Sequence, residues 1–255
     1  MNKILLTFDL EEFDIPEEYG ATIDLKTQIN TSYVGMEGVL DLLKKYDIRA
    51  TIFCTAHYAE HVPEQLRRIA AAGHEIASHG YFHSRFEEAD LLKSRAKLAE
   101  ITQQNVVGFR MARMAPVDNE AIREAGYTYD SSLNPTWLPN RYNHLNKPRT
   151  VFEGVKGLKI IPASVTPLLR FPLFWLSFKN LPPFFFNKMV QRTLKQDGYV
   201  NIYLHPWEFN TLENFNLPHY VKGTDGVALL HKLEKFIQHF EKKATFTTIK
   251  DYLKL

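Results

Sequence analysis

Two histidines, His79 and His83, stand four residues apart in the stretch GHEIASHGYFH, directly after a short apolar run. Imidazole nitrogens are ligands of zinc-type ions, and two imidazoles with one carboxylate leave coordination positions open for water and substrate. The spacing brings both rings to one side if a helical turn follows Gly80, since glycine permits a tight change of direction. Taken alone, the pair fits two polar residues at an exposed helix start equally well.

A carboxylate that would complete such a ligand set is available near the N-terminus, in the run LLTFDLEEFD. Glu11 and Glu12 are both candidates. Residues 9 and 11 of an extended strand point the same way and residue 12 points the other way, which favours Glu11. A metal ion held there lowers the pKa of a bound water and polarises a carbonyl oxygen. Hydrolysis of an amide or ester is therefore the simplest chemistry.

Amide hydrolysis also requires a base that accepts a proton from water and an acid that protonates the leaving amine. Asp9 and His205 are available for these two functions. Arg110 is expected to pair with Asp9, which orients the carboxylate and keeps it ionised. Trp207, two residues after His205, is either an apolar wall for an acetyl methyl group or a sugar face, or a part of the ordinary core.

The elements that would position these residues alternate between strands and helices along most of the chain. Short apolar runs predict strands, and segments with a helical apolar period predict helices. The predicted strands are KILLTFD, ATIFCTA, HEIASHG, VVGFR, YTYDSS, LKIIPAS, YVNIYLH and the start of ATFTTIKDYL. The predicted helices are GMEGVLDLLKKYD, VPEQLRRIAAAG, EADLLKSRAKLAEIT, NEAIREAG, NKMVQRTLKQDG, GVALLHKLEKFIQHFEK and the end of ATFTTIKDYL. Repeated βα units predict a parallel sheet, either closed into a barrel or open and doubly wound.

Ionisable residues stand where five of the predicted strands end. These residues are Asp9, His79, Arg110, Asp130 and His205. In a parallel barrel the carboxyl ends of the strands converge on one face. Groups that are distant in sequence are therefore expected to share one pocket.

The composition is that of a soluble globular protein, with 45% hydrophobic and 24% charged residues among 255. The net charge of +2 is too small, and on this interpretation too evenly spread, to indicate a nucleic-acid surface or a polybasic membrane anchor. Cys54 is the single cysteine, which excludes an intramolecular disulfide and fits a reducing compartment. The N-terminal apolar run is too short for a signal peptide, so we expect a cytoplasmic protein.

The segment LLRFPLFWLSFKNLPPFFFNKMV, from Leu168 to Val190, is rich in aromatic residues. Arg170, Lys179 and three prolines interrupt it, so it is a poor candidate for a membrane-spanning helix. It is either a buried loop and helix or an aromatic lip that contacts a lipid-linked or apolar substrate. The second interpretation predicts peripheral membrane contact through residues 168–186.

Five motifs in this order resemble those of the polysaccharide deacetylases with a NodB-type domain. These are carbohydrate esterases of the family four type, which remove acetyl groups from N-acetylated sugars. The motifs are LLTFDLEEFD, GHEIASHGYFH, GFR followed by AP, AGYTYDSS and IYLHPWEF, and they span residues 4–209. The resemblance implies a distorted parallel (β/α) barrel of about seven strands with one metal ion. We expect a single domain over residues 1–255, with an aromatic-rich insertion around residues 133–190.

The resemblance also implies roles for individual residues. Asp9 is similar in position to the family's catalytic base, His205 to its general acid, and Arg110 to the arginine that orients the base. Asp130 is similar to a family aspartate that tunes the arginine and histidine side of the pocket. The implied metal ligands are Glu11, His79 and His83. Zinc is preferred from the ligand types, and cobalt, nickel or iron would tolerate the same set.

Two departures from the family pattern leave alternatives open. Most members carry two adjacent aspartates in the first motif, whereas this chain has an acid, one spacer and a second acid. Glu11 therefore takes the metal role, with Glu12 as the alternative. The family's short Arg-x-Pro is lengthened between Arg110 and Pro116, so Arg113 is an alternative to Arg110.

The leading hypothesis is a metal-dependent deacetylase of an N-acetylated sugar in a polysaccharide or glycolipid precursor. Its substrate would be lipid- or nucleotide-linked, and the enzyme would lie in the cytoplasm or at the inner face of the membrane. A second hypothesis retains the site and changes the substrate to a small non-sugar amide. A third is a metal- or carbohydrate-binding protein without catalysis, in which Asp9 and His205 would have no reason to occur together.

Overall fold

A curled sheet forms the centre of the protein. The computed structural model describes residues 2–139 and 141–255. The strands are β1 (Lys3–Leu10), β2 (Thr51–Cys54), β3 (Glu75–Ser78), β4 (Gly108–Phe109), β5 (Tyr129–Asp130), β6 (Trp137–Leu138), β7 (Tyr142–Asn143), β8 (Phe152–Glu153), β9 (Lys159–Ile160), β10 (Tyr199–Leu204) and β11 (Thr245–Phe246). β6 and β7 form a separate antiparallel hairpin, and the other strands belong to the central sheet.

The sheet runs in the order β10, β1, β2, β3, β4, β5, β9, β8, with β11 beside the start of β1. The neighbours from β10 to β9 are all parallel, and β8 joins the edge antiparallel to β9. This array of seven parallel strands confirms the predicted distorted (β/α) barrel. The carboxyl ends of these strands lie at one edge, where the chemistry of a parallel barrel is found.

The two ends of the parallel array are joined by one backbone hydrogen bond and by side chains instead of a regular ladder. The Ser164 amide donates to the Asn201 carbonyl oxygen at 2.9 Å, and the Asn201 amide donates to the Ser164 hydroxyl at 2.8 Å. The Asn201 side-chain amide donates to the Pro162 carbonyl oxygen at 3.1 Å. Proline has no amide hydrogen, so a continuous ladder cannot pass through residue 162.

Helices surround the sheet. They are α1 (Ile15–Glu18), α2 (Leu25–Lys45), α3 (Ala56–His61), α4 (Pro63–Ala71), α5 (Ala89–Thr102), α6 (Asn119–Glu124), α7 (Trp175–Asn180), α8 (Pro183–Asp197), α9 (His219–Lys222), α10 (Gly226–Phe240) and α11 (Ile249–Leu253). Short 3-10 turns occupy Ala112–Met114, Val155–Gly157 and Pro206–Phe209. Within residues 2–139 and 141–255, no helix is long and apolar enough to cross a membrane.

Two helices begin earlier than the apolar period predicts. α2 starts at Leu25 instead of near Gly35, because the Asp24 side chain accepts a hydrogen bond from the Thr27 amide at 3.0 Å and caps the helix. α8 starts at Pro183 instead of Asn187, and proline is well suited to the first helical position. Helices α1, α3, α7 and α9 are absent from the prediction, since four to six residues are too short to display a helical period.

Strand β1 is buried on both faces. Leu5 packs inside the barrel with Phe53 and Tyr129, whereas its neighbours Ile4 and Leu6 pack against the helices. A strand covered on both faces appears as a continuous apolar run, which explains the composition of KILLTF. Side chains alternate along a strand, so Asp9 shares the inner face with Leu5.

Helix α2 packs closely against the 3-10 turn that follows β10. Gly35 faces this turn, and a Cβ atom at Gly35 would clash with the Pro206 carbonyl group, lying 2.7 Å from its carbon. Gly38 lies on the same helix, but a Cβ atom there would meet only a methyl group of Leu230, at 3.4 Å. The first glycine is therefore required by packing and the second is not.

We expect Gly35→Ala to destabilise the protein by about 1–3 kcal/mol, the usual result of overpacking, because rigid backbone blocks the added methyl group. Gly38→Ala should stabilise it by up to about 1 kcal/mol, the difference in helix propensity between the two residues. Urea unfolding of both variants measures these changes. Equal stability of the two variants would contradict the close approach at Gly35.

Candidate active site

Four predicted site residues meet at the carboxyl edge of the barrel. Asp9 lies near the end of β1, His79 follows β3, Arg110 follows β4 and His205 follows β10. The Arg110 guanidinium donates to the Asp9 carboxylate at 2.6 Å, and the His205 Nε2 atom lies 4.0 Å from the other Asp9 oxygen. Barrel topology therefore brings together groups that are up to 196 residues apart in the sequence.

Glu11, His79 and His83 form a compact, buried group beside Asp9. One carboxylate oxygen of Glu11, Oε2, lies 3.0 Å from the His79 Nε2 atom and 3.2 Å from the His83 Nε2 atom. The three potential ligand atoms all lie within 4.8 Å of one another. Burial alone would raise the pKa of the Glu11 carboxyl, but the positive charge that His83 and its neighbouring histidines carry when protonated outweighs burial and lowers it well below its ordinary value.

The other ring nitrogen of each histidine is bonded away from this group. The Nδ1 atom of His79 lies 2.9 Å from the Arg110 carbonyl oxygen, and the Nδ1 atom of His83 lies 2.7 Å from the Asp14 carboxylate. Both acceptors require a hydrogen on Nδ1, so the neutral rings direct their Nε2 lone pairs towards Glu11. Asp14 was missed by the sequence analysis, although it ends the first motif.

The two histidines come together without the helical turn that was considered after Gly80. Residues 79–86 form an irregular loop, and Gly80 adopts a left-handed φ of 84°. The carbonyl groups of Gly80 and Tyr81 accept hydrogen bonds from the first amides of α3, Ala56 at 3.1 Å and His57 at 2.9 Å. These bonds, which connect residues distant in sequence, fix the loop and bring the two imidazole rings to a centroid distance of 5.9 Å.

The structure distinguishes Glu11 from Glu12 by direction. Glu12 points away from the two metal-facing histidines and accepts hydrogen bonds from Thr55 at 2.5 Å and His57 at 2.8 Å at the start of α3. Glu11 instead accepts a hydrogen bond from the indole nitrogen of Trp207 at 3.2 Å. Trp207 is fully buried, so of its two interpretations the structure gives the core position and not a wall of the pocket.

Arg110 and Arg113 hold different carboxylates. Arg110 is fully buried and binds Asp9, whereas Arg113 binds Asp14 at 3.0 Å and Glu18 at 2.7 Å. Arg113 also donates to the His83 carbonyl oxygen at 2.7 Å. The residue paired with the predicted base is therefore Arg110, and Arg113 supports the histidine loop.

Asp130 does not contact Arg110 through a hydrogen bond. Its carboxylate is bonded by the amide and hydroxyl of Ser132, and burial raises its pKa to about 6. The residue that reaches Arg110 is Ser131, whose hydroxyl accepts from the guanidinium at 3.0 Å. Neighbouring strand residues point to opposite faces, which explains why Ser131, and not Asp130, is hydrogen-bonded to the arginine. The charge of Arg110 acts on the Asp130 carboxyl by lowering its pKa against the effect of burial, and the tuning role of Asp130 stays a prediction.

His205 is held by a buried acid that sequence analysis missed. The Nδ1 atom of His205 lies 3.1 Å from the Glu208 carboxylate, which leaves Nε2 directed towards Asp9. The ammonium of Lys179, from α7, lies 3.3 Å from the other Glu208 oxygen and donates to the Val221 carbonyl at 2.7 Å. The run HPWE could have indicated Glu208, because residues three apart on one helical turn lie close enough for the acid to contact the histidine.

Burial and the neighbouring acids act in opposite directions on His205. Burial lowers its pKa, but the hydrogen bond to Glu208 and the charges of Glu11, Glu208 and Asp9 raise it above the ordinary value. The ring therefore retains a proton to higher pH than a free histidine does. A group that must donate a proton to a leaving amine requires this property.

A cavity of about 260 Å³ opens at this edge of the barrel. Its floor includes Asp9, Glu11 and His205, and its wall includes Trp175 and Tyr142. Trp175 packs edge to face against His205 with ring centroids 5.2 Å apart. The aromatic-rich segment therefore contributes directly to the walls of the pocket.

The family model described as polysaccharide deacetylase matches residues 2–129, half of the chain. The matched part contains Asp9, Glu11, His79, His83 and Arg110. The chain belongs to the polysaccharide deacetylase family. The resemblance on which the sequence analysis relied is confirmed.

Relatives and solved structures agree with this assignment. A peptidoglycan deacetylase of Helicobacter pylori is 27% identical over 259 residues, which cover 89% of this chain and 86% of the relative. A protein described as a probable polysaccharide deacetylase from Pseudomonas aeruginosa PAO1 has a TM-score of 0.68 at 18% identity, over 98% of this chain and 88% of that one. The PuuE allantoinase has a TM-score of 0.62 at 20% identity, over the same shares of the two chains. The structural likenesses show the fold.

Polysaccharide deacetylases are metal-dependent, and this deacetylase contains a group that fits an ion. Glu11 Oε2 is buried and has no hydrogen-bond partner of suitable geometry among the described residues. It faces two imidazole nitrogens that present lone pairs, and a cation would satisfy all three atoms. The donor set of one oxygen and two nitrogens suits a divalent ion with open coordination positions.

We expect Glu11→Gln to abolish stoichiometric metal binding, because it removes the charged ligand from the group. Glu12→Gln is the matched control: it makes the same chemical change one residue away, on a side chain that faces α3, and should leave the metal content unchanged. Metal analysis of the purified proteins and zinc titration measure both. Retention of one metal ion per chain by Glu11→Gln would contradict this ligand set.

We expect Glu208→Gln to move the alkaline limb of the activity profile to lower pH. The predicted role of His205 as general acid requires its protonated form, so activity is expected to fall as the pH rises through its pKa, and loss of the Glu208 charge lowers that pKa. Lys179→Met is the control. It removes a nearby positive charge, which cannot lower the pKa of His205, so the alkaline limb should not move to lower pH. An unchanged limb in Glu208→Gln would show that Glu208 does not tune the acid.

Proposed function

We propose that the protein is a zinc-dependent hydrolase that removes the N-acetyl group from an amino sugar carried on a lipid- or nucleotide-linked precursor. The observation that carries this proposal is the arrangement of Asp9 and His205 beside the group formed by Glu11, His79 and His83. Its position at the carboxyl edge of the barrel supports a catalytic role.

The metal site is held by Glu11, His79 and His83. When bound, the zinc ion supplies Lewis acidity, which polarises the acetyl carbonyl and acidifies water. His79 is positioned through the Arg110 carbonyl and His83 through Asp14, so each ring keeps its Nε2 atom available. Cobalt, nickel or iron would fit the same donors, and zinc is the ion we propose.

Asp9 is the catalytic base. Its carboxylate takes the proton of the attacking water, and the hydrogen bond from Arg110 fixes the direction in which its second oxygen points. Arg110 is itself held by Thr7 at 2.9 Å and Ser131 at 3.0 Å, so it cannot turn away from the base. Asp9 is therefore presented to the pocket in a single orientation.

His205 is the general acid. Its Nε2 atom faces the pocket 4.0 Å from Asp9, and its raised pKa keeps a proton available for the nitrogen of the departing amino sugar. Protonation is required because an amine anion is too basic to leave unassisted. The amine and acetate are the two products.

The aromatic wall supports a sugar ring as the substrate. Trp175 and Tyr142 provide apolar faces on which the faces of a sugar can pack, while the floor of the pocket carries the polar groups. The proposed location is the cytoplasm at the inner face of the membrane, with the segment 168–186 in contact with the membrane. An amino sugar on a lipid or nucleotide carrier is available there before polymerisation.

Release of acetate from N-acetylglucosamine oligomers tests the proposed activity. We expect turnover by the zinc-loaded enzyme, loss of turnover on chelation and recovery with zinc. Asp9→Asn should lower kcat by about 10²–10⁴-fold, the usual contribution of a general base. His231→Ala changes an exposed histidine and should leave turnover unchanged.

Full activity after complete chelation, or in Asp9→Asn, would overturn the proposed mechanism. Metal binding without acetate release from any acetylated sugar would favour a non-catalytic protein. Hydrolysis of small cyclic amides in place of acetylated sugars would favour the small-amide hypothesis.

A further inference from the structure

Positive charge is concentrated in one part of the chain. Residues 131–196 contain ten lysines and arginines and a single acid, Glu153, although the net charge of the whole chain is +2. The basic residues are Arg141, Lys147, Arg149, Lys156, Lys159, Arg170, Lys179, Lys188, Arg192 and Lys195. The expectation of evenly spread charge is therefore wrong, and the aromatic-rich segment lies inside this basic region.

The same region exposes large apolar side chains at two tips. Leu168 and Leu169 are 75% and 88% exposed, and Phe171 beside them is 39% exposed. Phe184 and Phe185, at the start of α8, are 69% and 58% exposed. We call these five residues the apolar rim. Single exposed apolar residues are ordinary, but clusters at successive tips indicate an interaction surface.

The first tip of the apolar rim is a structured loop. The Thr166 amide donates to the Phe171 carbonyl oxygen at 2.9 Å, which closes the loop. The Arg170 guanidinium donates to the Pro135 carbonyl at 3.1 Å, and its own carbonyl accepts from Thr136 at 2.7 Å. These bonds hold Leu168 and Leu169 outwards on a fixed support.

The second tip begins a helix whose exposed side is basic. Lys188, Arg192 and Lys195 follow Phe184 at helical spacing along one exposed stripe of α8. The opposite side of α8 is buried, with Phe186, Val190 and Leu194 in the core. A helix with an apolar start and a basic exposed side is suited to the boundary between acyl chains and anionic headgroups.

Both tips are close in sequence to residues that line the active-site pocket. Helix α7 lies between them in the chain, and the pocket wall includes Phe174, Trp175 and Leu176 from its start. The end of α7 is tied to α9, because the Asn180 side chain donates to the Tyr220 carbonyl at 2.9 Å. The helix that connects the two tips therefore also supplies part of the pocket wall.

We propose that the apolar rim and the basic stripe of Lys188, Arg192 and Lys195 dock on an anionic lipid bilayer. Leucine and phenylalanine side chains enter the acyl region, and the basic side chains contact the headgroups. A nucleic acid would use the charge but has no need for exposed leucines, and a second copy of the chain would bring like charges together. The docking deepens the membrane contact of segment 168–186 in the proposed function and is independent of the deacetylase activity. Only the presentation of a lipid-linked sugar to the pocket rests on that proposed activity.

Co-sedimentation with vesicles tests the docking. We expect the zinc-loaded protein to bind vesicles of phosphatidylcholine and phosphatidylglycerol in equal parts, to bind phosphatidylcholine alone weakly, and to dissociate as salt is raised. A variant with Leu168→Ser, Leu169→Ser, Phe184→Ser and Phe185→Ser should bind at least about tenfold more weakly. Each of Lys188→Gln, Arg192→Gln and Lys195→Gln should weaken binding to anionic vesicles by about fivefold.

The control variant carries Leu92→Ser and Val227→Ser, which remove exposed apolar side chains outside the basic region, 58% and 83% exposed. It should bind vesicles like the unchanged protein. Equal binding by the rim variant and the control, or no binding to anionic vesicles at all, would overturn the proposal. A dimer that the rim variant dissociates, with no vesicle binding, would overturn it in favour of a self-interface.

A soluble substrate separates this inference from the proposed function. The rim variant should release acetate from soluble N-acetylglucosamine oligomers as fast as the unchanged protein. Absence of vesicle binding with normal acetate release would refute the docking and leave the deacetylase intact. Vesicle binding without acetate release would refute the deacetylase and leave the docking intact.

Discussion

The buried guanidinium of Arg110 is the interaction on which the site depends. It lies over the Phe53 ring at 3.9 Å inside the barrel, and it donates to Asp9 and Thr7 from β1 and to Ser131 after β5. A buried charge that loses its partner costs about 3–5 kcal/mol. The strands that supply these acceptors are therefore held in one arrangement, and the Arg110 carbonyl also directs His79. Asp9, His79 and the barrel strands therefore share a single support.

Parity along the strands explains which site residues the sequence could predict. The alternation of side chains correctly separates Asp9 and Glu11 from Glu12, because β1 is a long regular strand and the direction of its side chains persists for one residue beyond it. The same reasoning did not identify Ser131 at β5, where two residues of strand are too few to define a face, although the Ser131 hydroxyl accepts from the arginine. The parallel class of the sheet was predictable from its continuous apolar runs, which are typical of strands covered on both faces.

The supporting side chains could not be predicted because they reach their partners from other elements. Asp14 binds His83 across 69 residues, and Lys179 meets Glu208 from a helix too short to display a period. The loop between His79 and His83 owes its shape to amides of α3, and nothing in its own sequence distinguishes it from a helical turn. The local sequence pattern indicates which side chains lie at the edge of the barrel. Contacts between residues distant in sequence determine the orientation of each side chain.

The two halves of the active site lie in different parts of the chain. The family match ends at residue 129 and contains Glu11, His79 and His83, the predicted base Asp9 and its arginine. His205, the predicted acid, lies beyond the match. It is held by Glu208, and Glu208 is balanced by Lys179 from α7. Trp175, which packs against His205, belongs to the same helix. The aromatic-rich segment therefore supports His205, because its residue Lys179 is fully buried against Glu208, the hydrogen-bond partner of His205. A change in this segment that adapts the pocket to another substrate must keep Lys179 in place beside Glu208. The shape of the pocket wall and the support of His205 are therefore coupled.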